Sequence, residues 1–373
     1  MFIKIENGDN KELLMAYQKN NIRQFKKLIE NGDNVNLIID KQFLLIDLII
    51  RNFYGFEDDV NQKFFDEILK AKPYINEIKE RSGSPIFTAI KYPKNANYLQ
   101  KLLKYGFDVD CLIMDFEKSP FMVSTPIFHS IYTHNIDIIN SLLEYNPDLK
   151  ITNNWGVPIL NVLIHFYGDD AKKVFLNFIK KGADPNQTDS YGNAPLHQIV
   201  SKDYIKEDYT EILLNNGADI NKSNNSGETP LMIISTKELA WLHKIEILFK
   251  WGAKLDKTNN NNQTAIMMAA KNGLLNNFNK LYELGANIHM QDIYGNNVGH
   301  YIANASLKSK NPNNLTDVTE LTGLIEFIRK NIDIMFVFNE EAIRPIDIMK
   351  SNNHDLYCEI EKMSKDKGFS YTL

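Results

Sequence analysis

The side chains that could do chemistry are few and scattered. The chain of 373 residues has eight histidines and two cysteines. Cys111, with His129, His134 and His165 downstream, is the nearest approach to a thiol–imidazole arrangement. A nucleophile of that kind needs a base within hydrogen-bond reach and a further group to orient the base. No local motif supplies either. The chain contains no H-E-x-x-H, no C-x-x-C and no phosphate-cradling G-x-x-x-x-G-K-[ST], so neither metal nor nucleotide chemistry is expected. The acidic pairs Asp58–Asp59 and Asp169–Asp170 read as loop residues or helix-capping charges, not as an acid–base couple. The expectation is a protein without catalytic residues, metal or cofactor. The alternative is an enzyme whose non-obvious Cys/His or carboxylate site lies beside one of the insertions described below.

What the sequence does carry is repetition. GADPNQTDSYGNAPLH (182–197) is followed by GADINKSNNSGETPLM (217–232). Gly182, Gly217, Gly252 and Gly285 lie 35, 35 and 33 residues apart, and Pro158, Pro195 and Pro230 lie 37 and 35 apart. A period of this size marks stacked supersecondary units. Within each unit a glycine turn leads to Thr or Ala before proline, and proline suits a first helical turn, where its missing N–H has no partner. A short apolar helix follows, then an amphipathic one such as YTEILLNN or KIEILFKW, which stops at a glycine able to take the left-handed backbone of a C-cap. Asparagine- and aspartate-rich turns lead on to the next unit.

These residues resemble the ankyrin repeat. The closest copies are Gly192 to His197 with Leu213 to Asn221, and Gly227 to Leu231 with Leu248 to Asp256. Weaker copies cover 83–110, 124–150, 155–186 and 263–289. The resemblance implies an all-α solenoid of about nine or ten helix–loop–helix units with β-hairpin-like turns, in a single array over 1–373. Residues 1–39 would form an N-terminal capping unit and 40–343 the internal repeats. Insertions fall near 51–62, 111–123 and 304–322, and 344–373 would be a C-terminal cap and tail. His197 and His300 occupy the signature histidine position, where the family ties its turn by hydrogen bonds. Asn186 and Asn221 match the asparagine that ankyrin hydroxylases modify.

Composition agrees with one continuous solenoid. The net charge is −5, which gives no footprint for nucleic acid. LLIDLII, interrupted by Asp47, is too short to span a membrane, and the first residues lack the apolar core of a secretory signal. Cys111 and Cys358 read as reduced thiols, so the expected location is cytoplasmic. The resemblance places a binding surface on the turn tips and the groove side of the first helices. Carried onto this chain, the tips are Trp155, Ser190, Tyr191, Asn225, Ser226, Ile293 and Tyr294. The groove-side positions are Ser201, Lys202, Thr236, Lys237, Lys271 and Asn272. Trp155, Tyr191 and Tyr294 recur at one turn position, and Trp and Tyr are common interface anchors. A row of Lys202, Lys237 and Lys271 would favour an acidic partner segment. Trp241 and Trp251 are expected to pack between units.

Departures from the repeat carry their own expectations. Gly156 to Pro158 is one residue short, so that turn should be distorted. Asn262 stands where a turn glycine belongs, and Val298 and Gly299 stand where proline and leucine belong, weakening a helix start. In the finger insertion, Phe116, Phe121 and Met122 are the sticky side chains. The Asn-, Ile- and Lys-rich wording resembles the AT-rich coding of intracellular bacteria and large viruses, and the C-terminal EIEKMSKDKGFSYTL resembles a type IV secretion signal. The expected use is a monomeric scaffold that binds a partner protein, including as an effector delivered to a host cell without a cleaved signal peptide.

Overall fold

Thr229 shows how one repeat begins. Its backbone is extended, its hydroxyl accepts the Met232 N–H at 3.3 Å, and Pro230 opens the helix behind it. Thr125 and Ala194 precede Pro126 and Pro195 in the same extended conformation. The computed structural model describes the chain outside residues 1–10, 37, 40–42, 53–54, 56, 74–84, 92–95, 116–121, 167, 169, 202–207, 238–241, 306–314, 353 and 368–373. The described residues divide into two compact units, Met1–Asp184 and Pro185–Leu373.

In the first unit the helices are α1 (Lys11–Gln18), α2 (Ile22–Glu30), α3 (Leu45–Ile50), α4 (Asp58–Lys70), α5 (Pro85–Lys91), α6 (Ala96–Lys104), α7 (Pro126–Tyr132), α8 (Ile136–Leu143), α9 (Ile159–Leu163) and α10 (Ala171–Lys180). Two antiparallel strand pairs join them: β1 (Ile38–Ile39) with β2 (Phe43–Leu44), and β3 (Ile113–Asp115) with β4 (Met122–Ser124). The second unit holds α11 (Pro195–Val200), α12 (Asp208–Asn215), α13 (Pro230–Ser235), α14 (Leu242–Lys250), α15 (Ala265–Lys271), α16 (Leu275–Glu283), α17 (Val298–Ala305), α18 (Leu315–Lys330), α19 (Pro345–Asn352) and α20 (His354–Asp366), with a 3-10 turn over Ile332–Phe336.

Odd-numbered helices are first helices and even-numbered ones second. In the second unit α11, α13, α15, α17 and α19 touch in succession, and α14, α16, α18 and α20 form a second row. A first helix is therefore covered by a neighbour on each side and by its own second helix. Its residues are buried almost all round: Ala265 to Ala270 of α15 all are. Second helices bury one stripe, as α10 does with Ala171, Val174, Phe175 and Phe178, the spacing of an amphipathic helix. Gly217 ends one such helix at φ 89°, with its N–H on the Leu214 carbonyl.

Several expectations change. Asp58 and Asp59 lie not in a loop but in the first turn of α4, where negative charge interacts favourably with the helix dipole, in keeping with the expected capping role. The finger insertion at 111–123 carries the arms of a β-hairpin, with Met114 opposite Val123; Phe116 and Phe121 lie outside the described residues. The 304–322 insertion is not all loop, since α18 starts at Leu315. The turn before Pro158 is not distorted: Asn153 N–H donates to the Val157 carbonyl at 3.1 Å, matching Asp189 N–H to Asn193 at 3.1 Å. The missing residue is absorbed at the helix start, where Pro158 takes the N-cap place in extended conformation. The α17 start is not weak either. Asn297 caps it, accepting the His300 N–H at 3.3 Å and donating to the Ile334 carbonyl at 2.9 Å. A Cβ on Gly299 would stand 2.9 Å from that same Ile334 oxygen, so glycine permits the close approach of the next repeat.

Leu213 of α12 is fully buried. Leu213→Asp should lower stability by about 3–5 kcal/mol through an unpaired buried carboxylate. Repeats support chiefly their neighbours, so hydrogen exchange should show the loss concentrated around α11 to α14; an unchanged melting curve would contradict this placement.

Candidate functional site

Among the described residues, six repeats project a four-residue turn between a second helix and the next first helix. A projecting turn leaves backbone N–H groups without a ladder partner, and here one side chain supplies it. Asn153 Oδ1 accepts the N–H groups of Trp155 and Val157, both at 3.0 Å. Asp189 accepts those of Tyr191 and Asn193 at 2.9 and 2.8 Å. Asn224 does so for Ser226 and Glu228, and Asn259 for Asn261 and Gln263, all at 2.9 Å. Asp292 holds Tyr294 and Asn296 at 2.9 and 2.8 Å, and Asn339 holds Glu341 and Ile343 at 3.1 and 2.9 Å. The fourth turn residue has positive φ in all six: Gly156, Gly192, Gly227, Asn262, Gly295 and Ala342. Asn262 thus takes the left-handed backbone expected of it.

The turns of the second unit are also joined to each other. N–H groups of Asn225, Asn260, Ile293 and Glu340 donate to the carbonyls of Tyr191, Ser226, Asn261 and Tyr294, at 3.0, 3.0, 3.1 and 2.9 Å. Below them, Asn224 Nδ2 reaches Asn193 Oδ1 at 3.1 Å and Asn339 Nδ2 reaches Asn296 Oδ1 at 2.9 Å. The Tyr301 hydroxyl donates to Asp292 and accepts from Gln263; burial, then the Asp292 carboxylate, pushes its pKa well above the ordinary phenol range.

His197 and His300 belong to this scaffold. His197 Nδ1 accepts the Ala194 N–H at 3.2 Å, so its Nε2 carries the proton and donates to the Glu228 carbonyl of the next turn, also at 3.2 Å. His300 lies in the same place, with Nδ1 3.1 Å from the Asn297 nitrogen and 2.8 Å from the Asn297 Oδ1, and Nε2 3.0 Å from the Ile343 carbonyl. Burial holds both imidazoles below their ordinary pKa, against the smaller raising effect of the carbonyls. Asn186 and Asn221 make a parallel tie beneath the second helices. Each side chain donates to a glycine carbonyl (Gly217, Gly252) and accepts the N–H of Asp219 or Lys254, at 2.7–3.2 Å.

The side chains displayed by the turns are the tip residues read from the sequence. Trp155, Tyr191 and Tyr294 are 57, 74 and 59% exposed. Ser190, Asn225, Ser226 and Ile293 are exposed beside them in their turns. The lysines are less regular. Lys271 is the last residue of α15, while Lys237 lies beyond the end of α13, so they differ in register; Lys202 lies outside the described residues. Trp251 is not packed between units but 41% exposed, and Trp241 lies outside the described residues. Phe338, exposed just before Asn339, has no counterpart among the expected tips. The anchoring Asn or Asp could have been found by its place three residues before each turn glycine.

Of the chemical candidates, the Cys111 thiol is pushed up to about 12, by burial first and then by Asp108 and Asp110. His129 is buried against the Phe87 ring. Among the described residues no three His, Cys, Asp or Glu side chains gather as a metal site, and no helix is long and apolar enough to cross a membrane.

Paired helices in two rows, with hydrogen-bonded turns projecting between them, define a helical-repeat protein. The sequence matches a family model described as ankyrin repeats over residues 160–256 and 210–292. The structure is similar to the crystal structure of the ankyrin repeat domain of Bcl-3, described as a unique member of the IkappaB protein family. The TM-score is 0.51 and the identity 18%, covering 64% of this chain and 98% of that one; identity that low speaks to fold alone. No curated protein matches in sequence. Residues 160–292 carry ankyrin repeats by that match, and the fold of the described residues is that of an ankyrin-repeat solenoid.

Two outcomes follow from the turn geometry. Asn224→Ala strips two N–H groups of their acceptor and should cost about 1–2 kcal/mol, whereas Ser226→Ala should fall within roughly 0.5 kcal/mol of the parent; paired denaturant titrations measure both. Because the folded pKa of His197 and His300 is lowered, their contribution is full above the unfolded value of about 6.5 and is lost as pH falls from there through the folded values. The melting temperature should drop over that window, less steeply in His197→Gln; a rise on acidification would contradict the neutral tautomers.

Proposed function

We propose that the protein is a non-catalytic scaffold that binds a partner protein through the finger turns and the groove-side ends of its first helices. The observation that carries this is the exposure of Trp155, Tyr191 and Tyr294, one aromatic at the same place in three turns whose backbones are pinned. An aromatic side chain has few torsions to freeze, so its large apolar area is turned to binding at little entropic cost. Ser190, Asn225, Ser226 and Ile293 flank the aromatics as contact residues. Lys237 and Lys271 complete the surface from the ends of their first helices, and Lys202 joins them by its place in the sequence.

The chemistry of the other candidates supports a non-catalytic role. A nucleophilic cysteine needs a lowered pKa, and that of Cys111 is raised. His197 and His300 spend both ring nitrogens on backbone groups. The protein works as a monomer in cytoplasm, its composition fitting an effector that an intracellular bacterium delivers into a host cell.

Affinity capture from host-cell lysate with the full chain as bait, followed by mass spectrometry, identifies the partner. Single alanine variants of Trp155, Tyr191 and Tyr294 should then keep the parent's melting temperature, and at least one should lose about 2 kcal/mol of binding. Parent-like affinity in all three, and in Lys202→Glu, Lys237→Glu and Lys271→Glu, would defeat the proposal.

A further inference from the structure

The five turns of the second unit differ in chemistry. Their middle residues are Ser190–Tyr191, Asn225–Ser226, Asn260–Asn261, Ile293–Tyr294 and Glu340–Glu341. Apolar surface gathers at the last two. Ile293 and Tyr294 are 39 and 59% exposed, and Phe338, at the base of the last turn, is 58% exposed. These residues stand on directly bonded neighbours, since Glu340 N–H donates to the Tyr294 carbonyl at 2.9 Å.

Phe338 is held before any partner arrives. The Arg344 guanidinium lies 5.3 Å from the centre of its ring, and the same guanidinium donates to both oxygens of Asp347 at 2.9 Å. A cation over the face and a bidentate clamp on that cation fix the ring plane. An immobilised aromatic loses less freedom on binding than a mobile one.

The charge next to it along the chain is net acidic. Residues 338–347 contain three acids, Glu340, Glu341 and Asp347, against the single cation Arg344. Arg344 is committed to Asp347, which leaves the exposed Glu340 and Glu341 as the charge a partner meets. Apolar anchors beside such carboxylates attract an apolar residue with cationic neighbours and repel an acidic segment.

We propose that the last two finger turns, with Tyr294 and Phe338 as apolar anchors and Glu340 and Glu341 as an acidic rim, form the part of the surface that selects its partner. They take a short basic segment presenting an aromatic or aliphatic residue between lysines or arginines. The proposal rests on the finger-turn function above and narrows it to one partner chemistry.

Selection of a random phage-displayed peptide library on the full chain tests it. The expected result is enrichment of peptides with an aromatic or aliphatic residue between basic ones. Tyr294→Ala and Phe338→Ala should each weaken the enriched peptides about tenfold or more. Glu340→Lys with Glu341→Lys should abolish the preference for basic flanks while leaving the melting temperature in place. Enrichment of acidic or uncharged peptides, or of basic ones indifferent to these variants, overturns the proposal. Peptides that depend on Trp155 or Tyr191 but not on Tyr294 or Phe338 overturn this assignment and leave the general function standing. A library with no peptide dependent on any turn residue overturns both.

Discussion

A turn that leaves the helical stack cannot satisfy its backbone from the helices, and an N–H facing neither water nor an acceptor destabilises the fold. In six turns one Asn or Asp at the base solves this by accepting two N–H groups at once. The rest of the display depends on that bond pair. It sets the chain direction, so that the next two side chains point outward. In the second unit it also aligns each turn with its neighbour, so that tip N–H groups meet tip carbonyls. The histidines reinforce the alignment from below, each joining its own helix start to the backbone of the following turn.

Rigid backbone with free side chains is the arrangement that suits recognition. The residues that hold a turn and those that it shows alternate along three or four positions: Asp189 holds while Ser190 and Tyr191 are shown, and Asp292 holds while Ile293 and Tyr294 are shown. Changes at the shown positions alter chemistry without touching the bonds beneath, so the same scaffold carries polar turns at Asn225–Ser226 and apolar and acidic ones nearer the C-terminal end. Catalysis asks for the opposite, side chains converging on one point. His197 and His300 instead bond both ring nitrogens within the scaffold, and burial keeps the Cys111 thiol protonated.

Much of this was legible in the residues because the repeat writes its local rules plainly. Glycines at helix ends, proline at helix starts and the signature histidines each obey a constraint within a few residues, and the tip aromatics follow from counting back from the turn glycine. Other features depend on partners far along the chain. Gly299 looks like a weak helix start until the Ile334 carbonyl is found against it. The short Gly156–Pro158 segment looks like a distorted turn until Pro158 proves to be the cap itself. The anchoring residues hide among asparagine-rich turns, where composition gives no contrast. Phe338 hides because Ala342, not glycine, takes the left-handed place in its turn, and the marker for counting is lost. Trp251 misleads in the other direction: an apolar residue near a helix end is as compatible with exposure as with packing.

The central claim is that the finger turns are held rigid by their anchors before any partner binds. Residue-resolved hydrogen exchange of the isolated chain, at the amides of Tyr191, Ser226, Asn261 and Tyr294, tests it most directly. All four side chains or their turns face solvent, yet each of these amides is bonded to an anchor oxygen. Protection well above that of an unstructured chain, and lost together with the adjoining helices, is the predicted result. Exchange at the unstructured rate while the helices stay protected would contradict it.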